Sequence, residues 1–184
     1  MLALAIFALM LWFALDYLDQ RSLRGARDQA RNLMRHAKWM NALIAFQIAL
    51  GGLVAGTDAG FIYNDFPMMA GHWLSPDLFT TSPWYLNFTE NLAMVQFQHR
   101  LTSGFVAIAV ISFLVRLRRR DLDPALKRRA LSLPFALAAQ AFLGIATLLL
   151  VVPISLAVLH QLGAFVLLGC GLVAQHGLTR IARS

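Results

Sequence analysis

Cysteine is nearly missing from this chain: Cys170 is the single one in 184 residues, which excludes a disulfide framework and a thiolate metal cluster. Its place inside an apolar run makes it a small packing residue. Charge is also scarce, 14% of residues against 59% hydrophobic. Between Trp39 and His99 there is no Lys or Arg at all. A net charge of +7 could suggest nucleic acid, but the basic residues stand in three clusters. Arg21, Arg24, Arg27, Arg31, Arg35 and Lys38 form the first, Arg116, Arg118, Arg119, Arg120, Lys127, Arg128 and Arg129 the second, and Arg180 and Arg183 the third. Such clustering beside apolar runs is a membrane topology signal, so no nucleic-acid partner is expected.

What is present in quantity is apolar sequence, in runs long enough to cross a hydrocarbon core, which takes about 20 helical residues. The chain reads as an all-α integral membrane protein, since an open sheet edge is not satisfied in lipid. Five transmembrane helices are predicted, over Leu2 to Leu18, Trp39 to Asp58, Asn91 to Leu117, Leu131 to Val152 and Ile154 to Leu178. Residues 1–18 read as a helix left from an N-terminal half, 19–38 as a basic cytoplasmic connection, and 39–184 as a C-terminal four-helix bundle. The positive-inside rule puts the basic segments on the cytoplasmic or matrix side and the loop from Ala59 to Glu90 opposite. A chain that begins mid-helix at Met1 with an odd number of spans is expected to be cut from a longer protein, with a natural five-helix product as the alternative. The first span lacks the basic flank and small-residue site of a signal peptide.

The long loop carries Phe61, Tyr63, Phe66, Trp73, Phe79, Trp84, Tyr85 and Phe88, aromatics suited to the headgroup level. Asn87-Phe-Thr-Glu90 has the form of a capping box opening the third span. Glycines 51, 52 and 56 on the second span read chiefly as close-approach positions between helices, Gly52 and Gly56 forming a GxxxG.

The chemistry points to His99 and His160, each set in an otherwise apolar helix, because a strongly coordinating group within a span is costly to keep there. From the expected starts of their spans, His99 lies about 12 Å and His160 about 9 Å down their helices, nearly level. Gln96, His99 and Ser103 share a stripe; Gly163, Ala164 and Gly171 lie on the His160 side, and Gln47 with Gly51 and Gln140 with Gly144 mark the second and fourth spans. Two imidazoles without nearby Cys, Asp or Glu make a poor zinc or calcium site. Haem iron needs only two axial ligands, so a bis-histidine haem is one reading and two hydrogen-bonded, merely packed histidines the other. His36, His72 and His176 are read as non-ligands; His176 is about 24 Å along the helix from His160.

Gly51-Gly-Leu-Val-Ala-Gly-Thr-Asp-Ala-Gly60 with its continuation to Trp73, Pro83-Trp-Tyr-Leu-Asn-Phe-Thr-Glu-Asn91, Val95-Gln-Phe-Gln-His-Arg100 and Val152-Pro-Ile-Ser-Leu-Ala-Val-Leu-His-Gln161 together resemble the signature of haem A synthases. That family is an eight-helix enzyme of two similar halves, and this chain resembles its fourth helix plus the C-terminal half. The resemblance implies haem b as cofactor, with His99 and His160 as metal ligands and Arg100 and Gln96 beside it, Arg100 as partner of a propionate. It implies an oxidoreductase that takes haem o to haem A for cytochrome oxidase assembly. It also implies a bacterial inner or mitochondrial inner membrane as the location. The bilayer, haem O synthase and a second copy of the chain are the further partners it suggests. In the family's other half a glutamate implicated in catalysis stands where this chain has Gln96, and no catalytic residue is assigned here. The first three helices of the family are missing, and so is the histidine expected just before the helix that starts at Met1. A stand-alone b-type cytochrome and a non-haem transporter or structural bundle are the alternatives.

Overall fold

Apolar side chains cover nearly every turn of this chain, and a backbone in lipid must satisfy its polar groups within its own segment, which the α-helix does. A computed structural model describes residues 2–18 and 23–183; Met1, Arg21 and the rest of the segment 19–22 lie outside the described residues. The helices are α1 (Leu2–Leu18), α2 (Arg27–Gly56), α3 (Leu92–Arg118), α4 (Pro124–Ala130), α5 (Ser132–Leu149) and α6 (Ile154–Arg183). Three short 3₁₀ turns, Ala59–Phe61, Pro76–Phe79 and Trp84–Phe88, interrupt the long loop between α2 and α3, and the described residues form no strand. Four helices are long and apolar enough to cross a membrane, with Pro124–Leu149 counted as one; Leu2–Leu18, at 17 residues, is a shorter apolar helix.

Helix α2 begins twelve residues before the predicted span, within the basic connection. From Arg27 to Leu50 the sequence holds neither Gly nor Pro and is rich in Arg, Gln, Ala, Leu and Met, so the helix has no reason to stop at the charged stretch. The start of α3 also differs from expectation. Its N-cap is Asn91, whose side-chain oxygen accepts the Met94 N–H at 3.1 Å. Asn87 does not cap it, because it sits inside the Trp84–Phe88 turn. There its amide accepts from Thr81 N–H at 2.9 Å and donates to Thr81 and Trp84 carbonyls at 2.8 and 2.7 Å, which knits the loop to itself.

The closely packed pairs are α2 with α6, α2 with α3, and α5 with α6; α3 touches α5 more lightly. The four helices therefore form a ring in the order α3, α2, α6, α5, with α3 and α6 across the diagonal, and α1 lies against α6. The end of the bundle bearing the Arg and Lys clusters, the basic end, holds the main core. Met40, Phe113, Leu117, Leu126, Leu133, Leu178 and Ile181 are fully buried there. Polar side chains at this end pair across helices: Asn41 donates to Gln175 at 2.9 Å, His176 meets Asp16 of α1 at 2.7 Å, and Ser112 meets His36 at 3.2 Å. Asp123 accepts from Arg24 N–H at 3.1 Å and caps α4 through Ala125 N–H at 2.8 Å, tying the two basic connections together. At the opposite, loop end the first buried residue of α6 is Leu167; from Ile154 to Val166 the helix buries no residue, and Phe165, partly buried, packs against the core.

Candidate functional site

His99 and His160 both lie near the loop end, about 10 Å along α3 and about 9 Å along α6 from the first helical residue. Their helices occupy diagonal positions in the ring. Each is served by the helix beside it. The Gln47 amide of α2 donates to the His99 carbonyl at 3.0 Å and stands 3.1 Å from its Nδ1. The Gln140 amide of α5 donates to the His160 carbonyl at 2.9 Å.

Glycine stands four residues after each glutamine, on the same helical face. A Cβ at Gly51 would meet His99 Cε1 at 3.1 Å, and one at Gly144 would meet His160 Cε1 at 2.8 Å. These glycines are bare backbone against an imidazole edge. Gly52 and Gly56, expected to serve helix approach, have nothing within 4 Å of a built Cβ. Gly163 and Gly171 face the Gln140 and Asn41 amides, so they too accommodate polar side chains. Gln47-Ile-Ala-Leu-Gly51 and Gln140-Ala-Phe-Leu-Gly144 are thus one motif used twice, each copy serving the histidine of a neighbouring helix. The sequence held that repeat, but only the helix pairing tells which histidine each copy faces.

Gln96 and Arg100 point to the loop. Buried Gln96 donates to the Ala59 and Tyr63 carbonyls at 3.0 and 3.1 Å. The Arg100 guanidinium donates to the carbonyls of Tyr63, Asp65 and Met68 at 2.9, 3.0 and 2.9 Å, and to Gln96 Oε1 at 3.0 Å. Asn64 adds a bridge to the other side, donating to Leu148 of α5 at 3.0 Å. The segment 59–68 is therefore strapped to α3 and to the end of α5, directly beyond the histidines. Farther out, Tyr63 donates its hydroxyl to Asp77 at 2.6 Å, and that bond to the carboxylate holds the phenol above its ordinary pKa. Of the remaining histidines, His72 lies exposed in the loop, while His36 and His176 lie at the basic end with the partners named above. Among the described residues, no three His, Cys, Asp or Glu side chains converge on a point where they could hold a metal ion.

Known proteins give the site its context. Residues 1–172 match the family described as COX15-CtaA, cytochrome oxidase assembly protein. The heme A synthase of Nitrosospira multiformis is 42% identical over 179 residues, which is 97% of this chain and 50% of that protein. The heme A synthase of Methylobacterium sp. (strain 4-46) is 42% identical over 185 residues, covering 99% of this chain and 50% of the relative. The Bos taurus protein named heme A synthase COX15 is 39% identical over 183 residues, 98% of this chain and 44% of its own length. The chain spans about half the length of these relatives. No solved structure matches it. With matching sequence along almost its full length, the chain belongs to the haem A synthase family of cytochrome oxidase assembly proteins.

Proposed function

We propose that this chain is the C-terminal portion of a haem A synthase-like membrane oxidoreductase, and that His99 and His160 hold a haem b as its two axial ligands. The observation that carries the reading is the doubled setting of the histidines: two level imidazoles on diagonal helices, each with its edge against a glycine that a Cβ would displace. The residues present fit such a group. His160 Nδ1 is buried with no hydrogen-bond partner among the described residues, and two imidazoles suit an ion that brings its other four ligands with it.

A bis-histidine haem b supplies one-electron transfer and has no open iron position. The chain's own part is to hold and enclose. His99 and His160 would supply the ligand nitrogens, and Gly51 and Gly144 let the rings lie close to α2 and α5. Gln96 and Arg100 fasten the segment 59–68 beside them, which limits water at that end. An amide does not exchange protons at neutral pH, so Gln96 suits a relay half; the oxidation of haem o to haem A falls to a substrate half outside this chain. With α1 included as a span left from that half, five helices lie in a bacterial inner or mitochondrial inner membrane, basic end toward the cytoplasm or matrix. Haem O synthase or a second copy would be met within that membrane.

The test is an absorption spectrum of the purified chain reconstituted with haem b. A low-spin b-type spectrum is expected, lost or converted to high spin in His99→Ala and in His160→Ala. Unchanged spectra in both variants would reject the assignment. With haem o and a reductant in a host lacking its own synthase, the chain alone is expected to yield no haem A above an empty vector. For orientation, His72→Cys in a Cys170→Ala background should react with an impermeant thiol reagent added from outside; labelling only after membrane disruption would reverse it.

A further inference from the structure

The ring of four helices has one weak side. Helices α2 and α3, α2 and α6, and α5 and α6 pack closely, whereas α3 and α5 touch only lightly. Helix α5 also has little to hold it: of its 18 residues, Leu133 near one end and Thr147 near the other are the buried ones. The loop end of this weak side is bridged by the segment 59–68. Gln96 and Arg100 hold that segment on α3, and Asn64 donates to the Leu148 carbonyl of α5 at 3.0 Å. Just beyond Leu148 the chain turns into α6 through Val151 and Val152, whose φ angles are 60° and 56°. Branched side chains rarely adopt that left-handed region, and such a conformation persists only where its surroundings enforce it. Here the Val152 N–H donates to the Thr147 carbonyl at 2.8 Å, and the Val152 side chain faces Gly60 of the segment, where a Cβ would meet its Cγ2 at 3.1 Å.

We propose that the lightly packed side between α3 and α5 is the port by which a haem passes between the bilayer and the two histidines, and that the segment 59–68 is the clasp that closes it; the proposal rests on the haem reading above. A porphyrin is a flat, mostly apolar plate that partitions into lipid, so a lateral route suits it. The other ways out are shut. Three sides of the ring are closely packed, large apolar side chains fill the basic end, and the strapped segment covers the loop end. Gly144 of α5 already borders the His160 ring, so parting α5 from α3 uncovers the site directly. That movement disturbs little helix packing, but it must break the Asn64 bond to Leu148 and draw Val152 away from Gly60. Once those contacts are lost, the turn at Val151 and Val152 is free to relax toward ordinary backbone, which favours the open state.

The experiment measures haem loading and release by the full chain in lipid vesicles, read from the low-spin spectrum. Gly60→Cys with Val152→Cys, in a Cys170→Ala background, places two thiols at an approach that a disulfide can close. Oxidised before haem is added, this variant should load at least tenfold more slowly than the same protein reduced. Oxidised after loading, it should keep its spectrum and release haem to apomyoglobin at least tenfold more slowly. Asn64→Leu, which removes the donor to Leu148, should release haem at least threefold faster than wild type. The control is Asn41→Cys with Gly171→Cys in the same background, which joins the closely packed α2 and α6; a Cβ at Gly171 meets Asn41 Cγ at 3.1 Å, and loading should not depend on its oxidation. Excess apomyoglobin in the water should not slow loading from haem already dissolved in the bilayer; loading stopped by that scavenger overturns the lateral route. Equal loading by the oxidised and reduced clasp variant, or equal slowing in the control, overturns the port while leaving the haem assignment standing. If the clasp disulfide does not form, Asn64→Leu decides, and release at the wild-type rate overturns the port. A wild-type chain with no low-spin spectrum overturns both.

Discussion

Phe113, Leu126, Leu133 and Leu178 at the basic end of the bundle are fully buried, whereas α6 from Ile154 to Val166 offers no buried side chain although α2 and α5 flank it. The same helices run through both regions, so helix packing alone does not explain the contrast. At the basic end large apolar side chains interdigitate, and polar ones pair side chain to side chain, as Asn41 does with Gln175. At the loop end the helices present glycines and glutamines to two imidazoles, and the helix pair carrying those imidazoles lies across the diagonal. One end fixes where the helices stand. On the proposed reading the other uses that spacing to hold a haem, and a residue changed at either end is expected to leave the other in place.

That division can be broken experimentally. The largest expected effect is at the histidines: His99→Ala or His160→Ala should abolish the low-spin spectrum, while His176→Ala, at the basic end, should leave it intact in whatever protein folds. Absorption spectra at matched protein concentration check this. Next, Phe113→Ala should cost about 3–5 kcal/mol of stability by opening a cavity in the packed end. Haem per folded chain should not change; a lost spectrum at full helicity would mean that the two ends are coupled. Haem titration should then separate the two cradle glycines. Gly144→Ala is expected to weaken haem binding several-fold more than Gly51→Ala, because the added methyl meets the imidazole at 2.8 Å in the first case and 3.1 Å in the second. Equal affinities would mean that the rings can retreat. The smallest effect belongs to Gly52→Ala and Gly56→Ala, whose new methyls meet nothing within 4 Å. Thermal unfolding in detergent should show stability unchanged or raised by up to about 1 kcal/mol, the helix preference for Ala over Gly.

Long apolar runs made the helices legible, and the expected span starts at Asn91 and Ile154 fall within a residue of the starts of α3 and α6. The basic stretch before Trp39 was misleading because charge marks the edge of a membrane span and not the edge of a helix; α2 continues through it as far back as Arg27. Asn87 and Glu90 matched the spacing of a capping box, but Asn87 is taken up in the Trp84–Phe88 3₁₀ turn and the cap falls to Asn91. Gln96 was named beside His99 from a shared helical stripe, and Arg100 from the family resemblance. Their partners were not, since loop carbonyls carry no sequence signal and could be anyone's acceptors.

The sequence by itself determined an all-helical membrane chain and two histidines worth following, because hydrophobic run length and the cost of a ligating group in a span are local properties of the residues. Tertiary structure decided the rest. Gly51 and Gly52 are adjacent and identical in sequence terms, yet one meets an imidazole and the other meets nothing. Gln47 and Gln140 each find the histidine of a neighbouring helix, His99 52 residues away in the chain and His160 20. Such assignments depend on helix order and rotation, which are set by the summed packing of the basic end and are written in no single residue.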